Sequence, residues 1–266
     1  MTPLHARPGD RLHDCETSRH GRAGRPRAQE SVPRPQGRYD WPVTISQRPL
    51  ALRRDLVKMF SEDRLVAVIR TATAEAAELA ARAMAKAGVR LVEITLTVPD
   101  AYELIARLAT DDDYARQGAI VGAGTVLTGV QAEDSLIAGA RFLVSPALIP
   151  EMIEVGRARD AMTMPGTLTP TEMLKAAELG ADYIKVYPLA TIGGPEFITN
   201  VRRALMHLPL VATGNVEYDE IPAYFKAGVV GFGIGGPLIR PDLIERGDTD
   251  GIVANAKRFL AATRRA

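Results

Sequence analysis

The chain has 266 residues, 46% hydrophobic and 24% charged, with a formal net charge of +1. That balance demands neither nucleic acid nor an anionic membrane as partner, and no apolar stretch approaches the roughly 18 residues of a membrane helix. The single cysteine, Cys15, excludes an internal disulfide framework and a thiolate metal cluster, and a cytoplasmic setting fits this usage.

Residues 1–48 stand apart. They hold nine arginines against five acidic residues, a net charge of +4, and no lysine; residues 49–266 carry 24 basic and 27 acidic residues. The stretch GRAGRPRAQESVPRPQGR has almost no hydrophobic periodicity, so it cannot bury enough surface to offset its ordering entropy. It also contains the only tryptophan and three of the four histidines. It reads as a disordered Arg/Pro-rich extension, or as upstream sequence from a misplaced translation start. It lacks the apolar core of a signal peptide and the interleaved aromatics of a nucleic-acid-binding arm.

From residue 49 onward the pattern is regular. Leu52, Leu56, Val57 and Phe60 fall at helical spacing, predicting a short N-terminal helix. Short apolar runs then recur about 19–28 residues apart: LVAVIR (65–70), RLVEITL (90–96), AIVGAG (119–124), RFLVSP (141–146), AMTMPG (161–166), YIKVYP (183–188), LVATG (210–214) and GFGIG (231–235). Helix-like segments separate them, among them TAEAAELAARAMAKAG, PTEMLKAAELG and GPEFITNVRRALMHL. Strands alternating with helices imply parallel pairing through right-handed crossovers. Eight such units predict a (β/α)8 TIM barrel over residues 49–266. An open doubly wound sheet is the runner-up, but VIRTATAEA follows the first run where a GxGxxG turn would be expected.

Barrels of this kind do chemistry at the C-terminal ends of their strands. Arg70, Glu93, Thr95, Thr97, Thr125, Ser145, Thr167, Lys185 and Thr213 gather there. In the second run Leu91, Glu93, Thr95 and Thr97 share one face, and Val92, Ile94, Leu96 and Val98 the other. The aliphatic face belongs against the helices, so Glu93 points into the barrel. By the same parity Ile184 and Val186 face the helices and Lys185 points inward. An amine in an apolar barrel loses its proton more easily and can attack a carbonyl to form a Schiff base, an electron sink for breaking a neighbouring carbon–carbon bond. Glu93 would shuttle protons. The bland reading of the pair is a buried salt bridge, and that of Lys185 alone is a solvated edge residue. His207, the only histidine outside the extension, falls far from any strand end and reads as a surface residue; no cluster has metal-ligand spacing.

The ordered set VAVIR, VEITLTVP, VGAGTV, FLVSPAL, PGTLTPTE, YIKVYP, ATGNV and GIGG resembles the 2-keto-3-deoxy-6-phosphogluconate and 4-hydroxy-2-oxoglutarate aldolases, over about residues 50–262. These are class I pyruvate aldolases. The resemblance implies cleavage of a 2-keto-4-hydroxy acid to pyruvate and an aldehyde, with no cofactor, in a homotrimer of barrels. It implies that Lys185 forms the Schiff base and Glu93 transfers the proton. It sets Thr125 beside the pyruvyl carboxylate, Pro146 against the carbon skeleton and Arg70 near the distal end of the substrate.

Two regions depart from that pattern. Many members carry Leu-Arg-Thr after the strand-two glutamate, whereas this chain has Leu96, Thr97 and Val98. The arginine that would clamp a carboxylate is missing, leaving Thr97 as a candidate binder alongside Thr125. Thr213, Gly214, Gly235 and Gly236 form glycine-bearing loops that either cradle a phosphate or simply turn the chain. Asn215 replaces a second glycine, and Pro237 stands near a serine position with neither N–H nor hydroxyl to offer. A phosphosugar isomerase or epimerase, and a catalytically silent barrel acting through its basic extension, are the competing functional readings.

Overall fold

The computed structural model describes residues 52–264 of the chain; the extension 1–48 lies outside them. The first helix, α1 (Arg53–Asp63), buries Leu56 and Phe60. Nine strands follow: β1 (Leu65–Ile69), β2 (Leu91–Thr95), β3 (Ile120–Gly124), β4 (Phe142–Val144), β5 (Met162–Met164), β6 (Gly166–Thr167), β7 (Ile184–Val186), β8 (Leu210–Gly214) and β9 (Gly231–Ile234). All pair in parallel in the order β5-β4-β3-β2-β1-β9-β8-β7-β6, a nearly closed barrel with helices around it.

Where the sequence predicts eight strands, the fifth run supplies two. Pro165 divides it because proline offers no N–H to a ladder. The part before Pro165 pairs with β4 and the part after it with β7. Pro165 still accepts the Lys185 N–H at 3.0 Å, and Thr167 accepts that of Tyr187 at 3.1 Å. The kinked segment thus joins the two ends of the sheet.

Helix boundaries follow local chemistry. Thr73 caps Ala74–Lys86 by accepting the Ala76 N–H. Thr169 and Glu172 form a capping box at the start of Pro170–Glu178. The helix foreseen in GPEFITNVRRALMHL stops at Arg202; its guanidinium holds the Leu208 carbonyl at 3.0 Å as the chain turns into β8. His207 is exposed in that turn.

Two apolar cores result. The larger lies between wall and helices and takes Val92, Ile94, Ala123, Ile184, Val186, Leu210, Ala212 and Phe232. The smaller fills the lower barrel: Val66, Leu91, Phe142, Met162, Met164, Tyr183 and Val211, closed from below by Leu56 and Phe60 of α1. The Phe60 and Tyr183 rings lie 4.4 Å apart, and the Tyr183 hydroxyl donates to the Val57 carbonyl at 3.0 Å. The strands that feed these cores therefore have a known inward face, and the inward residues above this plug line the mouth. Among the described residues, no helix is long and apolar enough to cross a membrane.

Candidate active site

Because Val92 and Ile94 occupy the outer core, Glu93 and Thr95 of β2 turn inward; Ile184 and Val186 do the same for Lys185 of β7. Glu93 is 2% exposed and Lys185 6%. Burial pushes the Glu93 carboxyl above its ordinary range, against the pull of the Lys185 and Arg70 charges. Burial likewise pushes the Lys185 amine below its ordinary value; Glu93 opposes this and Arg70 adds to it. No ion pair among the described residues joins the two directly. A closed salt bridge, the bland reading, is therefore not what holds them. Lys185 Nζ sits 5.0 Å from the Tyr187 ring centroid, and the Tyr187–Pro188 bond is cis. Thr167 donates its hydroxyl to the Lys185 carbonyl at 3.1 Å, fixing β7 at that residue.

Arg70, at the exposed end of β1, reaches two of the other expected residues. Its guanidinium donates to the Thr97 hydroxyl at 3.0 Å and to the Thr125 hydroxyl at 3.1 Å. The Thr97 and Thr95 hydroxyls are 3.0 Å apart, and Thr95 donates to the Ile69 carbonyl at 3.0 Å. Thr125 holds a left-handed φ of 60°, costly for a β-branched residue. This turn aims its hydroxyl back at Arg70.

The remaining expected residues lie along the rim. Ser145 donates to the Ala147 carbonyl at 2.6 Å and shapes the loop carrying Pro146. The Pro146 backbone crosses Gly166 so closely that a Cβ there would overlap it. Thr213, inward on β8 and 4% exposed, has a hydroxyl with no hydrogen-bond partner among the described residues. Gly214 turns out of β8 at φ 131°, and Gly235 packs against the Val68 carbonyl. Gly236 and Pro237 line a cleft of about 450 Å3 with Asn215, Tyr218, Arg240 and Arg258. Lys185 and Glu93 do not line it, so the glycine loops form a separate station beside the mouth.

The described arrangement is a desolvated amine, a desolvated carboxyl and a guanidinium whose charge reaches both. A profile of the KDPG and KHG aldolases matches residues 56–255. The chain belongs to this family. It is accordingly an aldolase, a carbon–carbon lyase. A probable 2-dehydro-3-deoxy-6-phosphogalactonate aldolase of Rhizobium meliloti is 37% identical over 180 residues, covering 67% of this chain and 83% of that one. A 2-dehydro-3-deoxy-phosphogluconate aldolase of Pseudoalteromonas atlantica is 27% identical, covering 76% and 93%. Among solved structures, a native KDPGal structure superposes with a TM-score of 0.66 at 30% identity, covering 75% of this chain and 94% of that one. The 2-keto-3-deoxy-6-phosphogluconate aldolase of Zymomonas mobilis with 3-phosphoglycerate reaches 0.70 at 26% identity, covering 80% and 99%.

Sequence reasoning passed over several parts of the aldolase's mouth. Gly124 and Gly166 leave space for other chain segments, and the Arg258 guanidinium stacks 3.9 Å from the Tyr218 ring centroid. The glycines carried a usable signal, since Gly122 and Gly124 fall on the inward parity of β3.

Proposed function

We propose that this aldolase cleaves a 2-keto-3-deoxy sugar acid to pyruvate and an aldehyde through an imine on Lys185. The observation that carries the reading is the buried amine of Lys185, which has no direct ion pair among the described residues, together with the buried Glu93 carboxyl whose charge acts on it. The Lys185 nitrogen attacks the C2 ketone, and loss of water gives the protonated imine. Glu93 takes the C4 hydroxyl proton, the C3–C4 bond breaks, and its electrons flow into the imine to give an enamine. Glu93 then returns the proton to C3, and water releases pyruvate and the amine.

Arg70 is read here as the partner of the substrate carboxylate. Its contacts with Thr97 and Thr125 favour that end of the substrate over the distal one, and the guanidinium fork suits a carboxylate. Thr213 offers its hydroxyl to the carbon skeleton and Pro146 an apolar wall. The loops at Gly214 and at Gly235 and Gly236 would receive the distal end. Relatives named for 6-phosphogalactonate and phosphogluconate, and the Zymomonas structure with 3-phosphoglycerate, support a phosphorylated acid. A homotrimer in the cytoplasm completes the reading. Exposed Leu127 and Val130, and similarity (29% identity, TM-score 0.66) to a cage designed by fusing symmetric oligomeric domains, support association into an oligomer.

Incubation with pyruvate and borohydride, followed by peptide mass mapping, tests the chemistry. The reduced adduct is expected on Lys185; label elsewhere, or none, would sink the proposal. Specificity constants for phosphorylated and unphosphorylated 2-keto-3-deoxy acids and for 4-hydroxy-2-oxoglutarate then rank the substrates.

A further inference from the structure

The sequence IVGAG of β3 places glycine at both inward positions, Gly122 and Gly124, and alanine at the outward one between them. Ala123 is fully buried in the outer core, so the wall accepts a methyl group there. The inward glycines face different neighbours. A Cβ on Gly122 would lie 2.5 Å from the Phe142 ring, part of the apolar plug. A Cβ on Gly124 would overlap the Glu93 side chain from Cγ to the carboxylate oxygen Oε1. The carboxylate of Glu93 therefore occupies the space that any other residue at position 124 would fill.

We infer that Gly124 is a positioning residue for proton transfer: its missing side chain forms the seat that holds the Glu93 carboxylate at the reacting carbons. The register supports this, because Thr95 rather than Glu93 pairs with Gly124. Glu93 lies one inward position lower, opposite Gly122, and must lean up along the wall toward the mouth to reach this seat. A methyl group at 124 would push the carboxylate off β3. A displacement of about 1 Å costs a reaction on the order of 10²-fold. Imine formation at Lys185, which projects inward from the opposite wall, is read separately from proton transfer at C3. This inference rests on the aldolase reading above, and its test separates the two.

The test compares Gly124→Ala with Gly122→Ala. Both overpack the interior, so both should lower Tm by about 5 °C. In each folded variant, borohydride trapping of pyruvate reports Lys185, and exchange of pyruvate C3 protons into deuterated water reports Glu93. Gly124→Ala should keep the trap while losing exchange by at least about 10²-fold; Gly122→Ala should keep both. Exchange at the wild-type rate in Gly124→Ala would overturn the inference, as would equal losses in the two variants. A stability cycle covers the case in which Gly124→Ala folds poorly. In a Glu93→Ala background the same substitution should cost no Tm, and an undiminished cost would show that the space is not Glu93's. A wild-type protein that traps no pyruvate would overturn the aldolase reading instead, an outcome separate from all of these.

Discussion

The floor and the mouth of the barrel bury charge in opposite ways. At the floor, buried Asp63 accepts the Arg90 guanidinium at 2.6 and 2.8 Å and Arg264 at 2.7 Å. Asp182 nearby accepts Arg53 at 2.7 Å and the Thr163 N–H at 2.8 Å. Each carboxylate is matched by donors on other elements, which ties α1 and the helix Thr249–Arg264 to the wall. At the mouth, Glu93 and Lys185 are just as buried, yet no ion pair among the described residues joins them, and the Thr213 hydroxyl nearby has no partner. Matched buried charges serve the fold; in the proposed reaction the unmatched ones are those that meet the reactant. The contrast distinguishes structural from chemical residues better than burial alone.

The sharpest way to break that contrast is Lys185→Ala. Turnover should fall at least about 10⁴-fold, equivalent to about 5.5 kcal/mol of barrier, while Tm stays within a few degrees or rises. A collapse in Tm would move Lys185 into the same class as Asp63. Asp63→Ala should do the reverse. Stranding Arg90 and Arg264 should cost about 3–5 kcal/mol in urea unfolding, with specific activity of the folded fraction preserved. Arg70→Lys keeps the charge but loses the fork, so half-saturation by pyruvate in the trapping assay should rise about tenfold. An unchanged value would return Arg70 to the distal end of the substrate.

The smallest effect is read from pH. The native Lys185 amine titrates below 10.5, so between its native value and 10.5 the unfolded chain binds more protons. Its contribution to stability is present above 10.5 and lost as pH falls through the native value. Wild type should therefore lose stability relative to Lys185→Met as pH drops across that window. Glu93, raised above 4.5, has the opposite sign: its contribution is full below 4.5 and lost as pH rises through its native value. Paired urea titrations at several pH values check both slopes.

Much of this arrangement was legible in the sequence because strands alternate. The Val92/Ile94 and Ile184/Val186 pairs alone turn Glu93 and Lys185 inward, and the structure agrees. The break at Pro165 was less visible, since AMTMPG reads as one run although its halves pair with different neighbours. The Arg70–Thr97–Thr125 contacts were out of reach, because three loop ends 27 and 55 residues apart meet through side chains alone. The seat at Gly124 depends on which way a glutamate leans, which no local pattern encodes.

The Phe60–Tyr183 contact and the apolar plug around it close the floor, which leaves the mouth as the route for traffic. In the proposed reaction the three-carbon fragment tethered at Lys185 would sit deepest, with the aldehyde between it and solvent. Departure would then be ordered, aldehyde first and keto acid last. Steady-state inhibition should show pyruvate competing with the substrate for the empty enzyme, while the aldehyde engages only the form that still carries the tethered fragment.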